Sequence, residues 1–148
     1  MNLAEKICIT AAFIFFMTGL FAGIWKYRLI VKSEDSRSRF YVDAAHRVSF
    51  IYAASSLLLG VFAHYSIFPS WLNIISALLV NALFASAIMV NLITGLKSDT
   101  NNQIRESKKG VLGFEPMWMV NSYMLLVIVG EVSGSAILGI GALLAIWS

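Results

Sequence analysis

The chain reads as an all-α integral membrane four-helix bundle, and three observations predict it. First, 59% of its 148 residues are hydrophobic and only 13% are charged, against about 25% charged in ordinary soluble domains. Second, the mean hydropathy is +0.78, and the charges are confined to a few short stretches, so a water-facing surface cannot be assembled. Third, the apolar residues fall into four runs, each long enough to supply the roughly 20 residues of a spanning helix. These features exclude a soluble enzyme, a nucleic-acid binder and a disordered segment. The net charge of +3 belongs to loops beside a membrane, with no nucleic acid implied. A single cysteine, Cys8, excludes a disulfide framework and a cysteine-rich metal site. One four-span membrane domain over 1–148 is expected.

The first span, 7–31, closes on Trp25, Lys26, Tyr27 and Arg28, the mixture of aromatic and positive residues found at a membrane interface. Its apolar part exceeds the roughly 7–15 residues of a signal-peptide core, so a retained helix is expected. The second span, 43–68, takes Asp43 as its N-cap and passes through Leu57, Leu58 and Leu59. Pro69 and Ser70 make a turn so short that the third span, 71–96, must lie antiparallel beside the second. The fourth, 116–147, opens on Pro116, a residue suited to the first helical turn.

Orientation follows from the positive charges. Lys26, Arg28, Lys32, Arg37, Arg39 and Arg47 surround the first link, Lys97, Arg105, Lys108 and Lys109 sit in the third, and only Lys6 lies on the other side. Positive residues favour the cytoplasmic face. Both polar loops are therefore expected inside and both termini outside, in a plasma membrane of the bacterial inner-membrane type.

Ionisable and amide side chains within the spans mark the next candidates, because a charged group in hydrocarbon costs roughly 3 kcal/mol on insertion scales. Glu131 lies about 22 Å along the fourth helix from Pro116, near the bilayer centre. Asn81 lies equally far from Leu96 on the third, so an Asn81–Glu131 hydrogen bond is expected to join the two helices. For Glu131 two readings stand level, a protonated carboxyl that only glues helices and a proton- or substrate-handling group. Gly130 and Gly134 form a small-xxx-small pair that reads as close helix packing. Phe13, Phe15, Phe16 and Phe21 read as lipid-facing or packing residues rather than a cofactor box.

His46 and His64 are 18 residues apart, about 27 Å along one helix, and cannot share an ion within a chain. His46 sits at the cytoplasmic end of the second span, across from the third-loop residues Asp99, Asn101, Asn102 and Gln103. Asn91 and Thr94, one turn apart on the third helix, are expected to face the same polar mouth. An interface histidine held by hydrogen bonds is the plainer reading. A mouth with one imidazole also suits haem, which needs a single protein axial ligand and keeps a sixth position open. No zinc motif, glycine-rich phosphate loop or Ser-His-Asp order is present.

The four-span layout, the Ala44-Ala45-His46 stretch opening the second span and the Asn102-Gln103 pair after the third resemble the styrene oxide isomerase family of small membrane proteins. The resemblance covers most of the chain from Asp43 onward, on short motifs. It implies haem b with His46 as the iron ligand and Asn102 and Gln103 beside the cofactor. It also implies a homotrimer with haem between subunits, and ferric Lewis-acid isomerisation of a small hydrophobic epoxide to an aldehyde. Two positions depart from the family pattern. Tyr52 stands six residues past the histidine, where the family has asparagine, and Asn91 stands 45 past it, where the family has tyrosine. The resemblance then implies Tyr52 and Asn91 as catalytic donors with their types exchanged; Glu131 has no matching position. A four-helix glutathione-transferase-like membrane family is a weaker likeness: Arg47 follows His46, but 49–53 supply no carboxylate. Two other readings stay open, a haem protein for electron transfer or gas sensing, and a cofactor-free structural or partner-binding membrane protein.

Overall fold

The computed structural model describes residues 1–34, 36–97, 106 and 116–148. The described residues form four helices: α1 Leu3–Lys32, α2 Phe40–Tyr65, α3 Ser70–Lys97 and α4 Met117–Trp147. All four are long and apolar enough to cross a membrane. The shortest has 26 residues and the longest 31, about 39–46 Å of helix against a hydrocarbon core of about 30 Å.

Polar residues move the helix ends away from the places that hydropathy marks. α1 begins at Leu3 rather than near Ile7 because Asn2 and Glu5 form a capping box. The Asn2 side chain accepts from the Glu5 N–H at 2.8 Å, and the Glu5 carboxylate accepts from the Asn2 N–H at 3.2 Å. Asp43 is not the N-cap of α2. The helix starts at Phe40, with Arg39 as the cap residue, and the Asp43 N–H already bonds the Arg39 carbonyl. The Asp43 carboxylate instead pairs with Lys26 of α1 and, one turn on, with Arg47. Arg39 extends its guanidinium to the Gly95 and Leu96 carbonyls at 3.2 and 3.3 Å, so it closes the C-terminal end of α3. Pro116 stands just outside α4 as its cap residue, with extended backbone.

α1 and α2 pack antiparallel in a single register. Lys26 meets Asp43, Gly23 meets His46, Gly19 meets Phe50, Cys8 meets Gly60 and Glu5 meets His64. The seam is built from residues spaced three and four apart, mostly small: Ala4, Cys8, Ala12, Phe15, Gly19 and Ala22 on α1, facing Ala45, Ser49, Ala53, Ser56, Gly60 and Ala63 on α2. Small side chains let backbones approach where lipid leaves no hydrophobic drive for helices to associate. Phe13, Phe16 and Phe21 point outward while Phe15 is buried. α1 and α4 each pack on both α2 and α3.

The α3–α4 contact follows the same logic. Gly130 receives the Leu83 side chain and Gly134 receives Val80, and a Cβ at either glycine would collide with that neighbour. The small-xxx-small pair is therefore a packing device. The short turn between α2 and α3 is held by Asn73, which accepts from the Ser66 hydroxyl at 2.9 Å and donates to the Phe68 carbonyl at 3.1 Å.

Candidate functional site

His46 lies six residues into α2, about 9 Å from its start, and faces α1. Its Nδ1 is 2.9 Å from the Gly19 carbonyl oxygen. A carbonyl only accepts, so this bond places the proton on Nδ1 and leaves the Nε2 lone pair free. The ring lies over Gly23, where a Cβ would come within 2.8 Å of the imidazole Cε1. Phe50, one turn along α2, meets the ring edge-on at a centroid distance of 5.1 Å and also meets Phe16 of α1 at 5.5 Å. The glycine pair beneath the imidazole went unread in the sequence, although Gly19 and Gly23 have the same spacing as Gly130 and Gly134 and carry the same signal.

An imidazole whose Nδ1–H is tied to a backbone carbonyl has the usual arrangement of a histidine ligand, with orientation and tautomer set from behind. His46 is therefore the residue of this chain that would hold a haem iron, through Nε2. No group of three or more His, Cys, Asp or Glu able to hold a metal occurs among the described residues, whereas an axial position asks for one nitrogen only.

The other expected site residues do not gather round His46 within the chain. Tyr52 stands in the middle of α2, stacked on Phe84 of α3 with ring centroids 4.1 Å apart. His46 thus turns to α1 and Tyr52 to α3. Asn91 donates to the Ala87 carbonyl of its own helix at 2.9 Å. The packing of Gly95 on Val42 and of Phe84 on Tyr52 brings Asn91 level with His46 but on the α3 side. In place of the polar mouth expected for His46, Asn91 and Thr94, the histidine packs against Gly19 and Gly23 of α1, and Thr94 is buried. Asp99, Asn101, Asn102 and Gln103 lie outside the described residues. His64 pairs with Glu5 at 3.2 Å at the opposite end of the bundle.

Asn81 and Glu131 are not bonded to each other. The Asn81 Oδ1 accepts from the Ser56 hydroxyl at 2.6 Å, and its Nδ2 donates to the Ala77 carbonyl at 2.8 Å and to Cys8 Sγ at 3.5 Å. The amide is satisfied by α1, α2 and its own helix, which leaves Glu131 Oε1 buried with no hydrogen-bond partner. Equal depth placed the two residues at one level; their rotation about the helix axes separates them. Beyond them, Tyr123 shares a hydrogen bond of 2.8 Å with Ser86 of α3.

No family model, curated protein or solved structure matches the chain.

Proposed function

We propose that the protein is an integral membrane haem b protein, assembled as a homotrimer, whose isomerase-type chemistry acts on a small hydrophobic epoxide. The observation that carries this reading is the bond from His46 Nδ1 to the Gly19 carbonyl, because it holds the ring and leaves Nε2 as the atom that would bind haem iron. Haem, when bound, supplies a Lewis-acidic iron that polarises a ligand oxygen. The chain's part is to hold that cofactor through His46, to shield it with the apolar rings of Phe16 and Phe50, and to orient the ligand. Within one chain Tyr52 stacks on Phe84 and Asn91 bonds its own helix, so the donor role that the resemblance implies would fall to the pair of a neighbouring copy. Asn102 and Gln103 take the cofactor-side role that the resemblance implies. Arg39 joins the start of α2 to the end of α3, and Lys26 joins α1 to the start of α2. One end of the bundle thus collects most of the positive charge, which supports a cytoplasmic placement for that end and outside termini, in a membrane of bacterial inner type.

The test is the absorption spectrum of detergent-purified protein expressed with haem supplied. A Soret band that is lost in His46→Ala, with oligomer mass retained, is the expected result; a colourless wild-type preparation overturns the reading. A cofactor-free protein is the second reading, favoured by the His46 ring itself, which fills the space over Gly23 and ties α1 to α2. It requires that His46→Ala leave the spectrum unchanged and lower only the stability of the bundle.

A further inference from the structure

α4 carries one carboxyl, and it stands at mid-helix. Glu131 is near the middle of the 31 residues of α4, about 20 Å of helix from either end. Its neighbours give its level in the bundle: Gly130 receives Leu83 and Gly134 receives Val80. At that level α3 is joined to α2 through Asn81 with Ser56 and Phe84 with Tyr52. Glu131 therefore belongs to the central layer, far from both polar ends. Its Oε1 is buried without a hydrogen-bond partner, whereas the residue as a whole is partly exposed. It stands on the border between the packed stripe of Gly130 and Gly134 and the open stripe of Ile128 and Val132.

An ionised carboxylate within hydrocarbon needs a counter-charge, and the helices have none to give at this level. The sequence holds no Lys, Arg or His between Ile7 and Trp25 in α1, between Arg47 and His64 in α2, between Ser70 and Leu96 in α3, or anywhere in α4. A second copy of the chain brings the same four helices and adds no cation to that layer. None of the four ion pairs among the described residues includes Glu131. Neutral donors nearby are committed elsewhere: Asn81 to Ala77 and Cys8, Ser133 to the Gly130 carbonyl, and Tyr123 to its shared bond with Ser86. The Cys8 thiol and the Tyr52 phenol, the other titratable groups of the layer, are neutral at physiological pH and balance no negative charge. A hard metal ion asks for about six oxygen ligands, and no group of three or more His, Cys, Asp or Glu suited to one occurs among the described residues. The counter-charge that remains is a proton.

We propose that Glu131 is a proton-binding site in the middle of the membrane, carried as the neutral acid and open to the lipid along the Ile128–Val132 edge of α4. A neutral acid in that position is a modification site for lipophilic carbodiimides. The carboxyl oxygen adds to the central carbon of the reagent, and the carboxyl proton passes to one of its nitrogens. With no lysine in the central layer and water excluded, the acyl group moves from oxygen to the neighbouring nitrogen. The N-acylurea that results keeps every atom of both reactants. Glu5 and Asp43 differ in both respects: each lies toward a helix end and is held in an ion pair. His46 turns to α1 and takes no part, so the site stands with or without haem.

The test uses the full-length protein in detergent at about pH 7, with two readouts. Infrared absorption should show the C=O stretch of a protonated carboxylic acid, shifted in deuterium oxide and lost in Glu131→Gln. Dicyclohexylcarbodiimide should add one whole reagent molecule at Glu131, located by peptide mass mapping, while a water-soluble cationic carbodiimide leaves that residue unmodified. Both results should be the same with and without added haem, so a failure of the haem reading leaves them in place. If the Gln variant fails to fold, the wild-type band and the mapped modification carry the test. Absence of a protonated-carboxyl band, absence of the adduct at Glu131, or equal modification by the two reagents overturns the proposal.

Discussion

Ser56 donates its hydroxyl hydrogen to Asn81 Oδ1 across 2.6 Å in the buried centre of the bundle, and this bond ties α2 to α3. The same amide donates to Cys8 Sγ, so one side chain touches three helices. Interhelical hydrogen bonds in membrane proteins average about 0.6 kcal/mol and reach about 2. Ser56→Ala should therefore cost about 1 kcal/mol. Asn81→Leu, which strands the Ser56 hydroxyl and overfills the site, should cost more. Unfolding in mixed micelles checks both, and the double variant should cost less than the sum of the two, as neighbours in one network do.

The two glycines of α4 should respond differently to alanine. A Cβ at Gly130 meets the end of the Leu83 side chain, which can turn aside. A Cβ at Gly134 meets Val80, stiff at χ1, and also the Ser76 backbone carbonyl at 3.3 Å. Overpacking of this kind costs about 1–3 kcal/mol. Gly134→Ala should fall in the upper part of that range and Gly130→Ala at or below the lower end. Thermal melting in detergent gives the order, and Val80→Ala should recover only part of the Gly134→Ala loss because the carbonyl stays in place.

The spans were legible because membrane thickness acts on length and polarity, which the chain states directly; α3 differs from its expected 71–96 by a single residue at each end. Ends set by local polar chemistry were harder. Asn2 and Glu5 lie outside the apolar run, yet they start α1, and the capping-box spacing was there to be read. Asp43 looked like a cap because its type suits one, but Lys26 on another helix takes its carboxylate. For the candidate site, counting turns put Asn81 and Glu131 at one level, and both fall near the middle of their helices. Rotation was not, because the face that α3 turns to α4 is decided by Gly130 and Gly134 accepting Leu83 and Val80. That rotation carries Asn81 to Ser56 and Cys8 and leaves Glu131 alone.

Arg39 tests how far one guanidinium holds the charged end of the bundle together. Its Nη1 bonds the Gly95 and Leu96 carbonyls in the last turn of α3, where the helix dipole is negative. Arg39→Ala should lower stability by about 1 kcal/mol, since capping contacts and charge–dipole terms are each of that order. Arg39→Lys should recover the charge but not the two-carbonyl geometry, and so only part of the loss. Faster amide exchange confined to the last turn of α3 would locate the effect. Unchanged exchange there would show that the contact contributes nothing to capping.

Gly23→Ala separates the support of the imidazole from the imidazole itself. The new Cβ would come within 2.8 Å of His46 Cε1 and 3.0 Å of Nδ1, so the ring must shift away from α1. The 2.9 Å bond to the Gly19 carbonyl then lengthens or breaks, and with it goes the constraint that keeps the proton on Nδ1. Loss of such a supporting partner typically weakens metal affinity by about 10–100-fold. On the haem reading, Gly23→Ala should keep a Soret band but shift it and weaken haem retention by that order, between wild type and His46→Ala. Haem titration of the stripped protein measures this directly. On the cofactor-free reading the same substitution alters only the melting temperature, by an amount set by overpacking and independent of added haem.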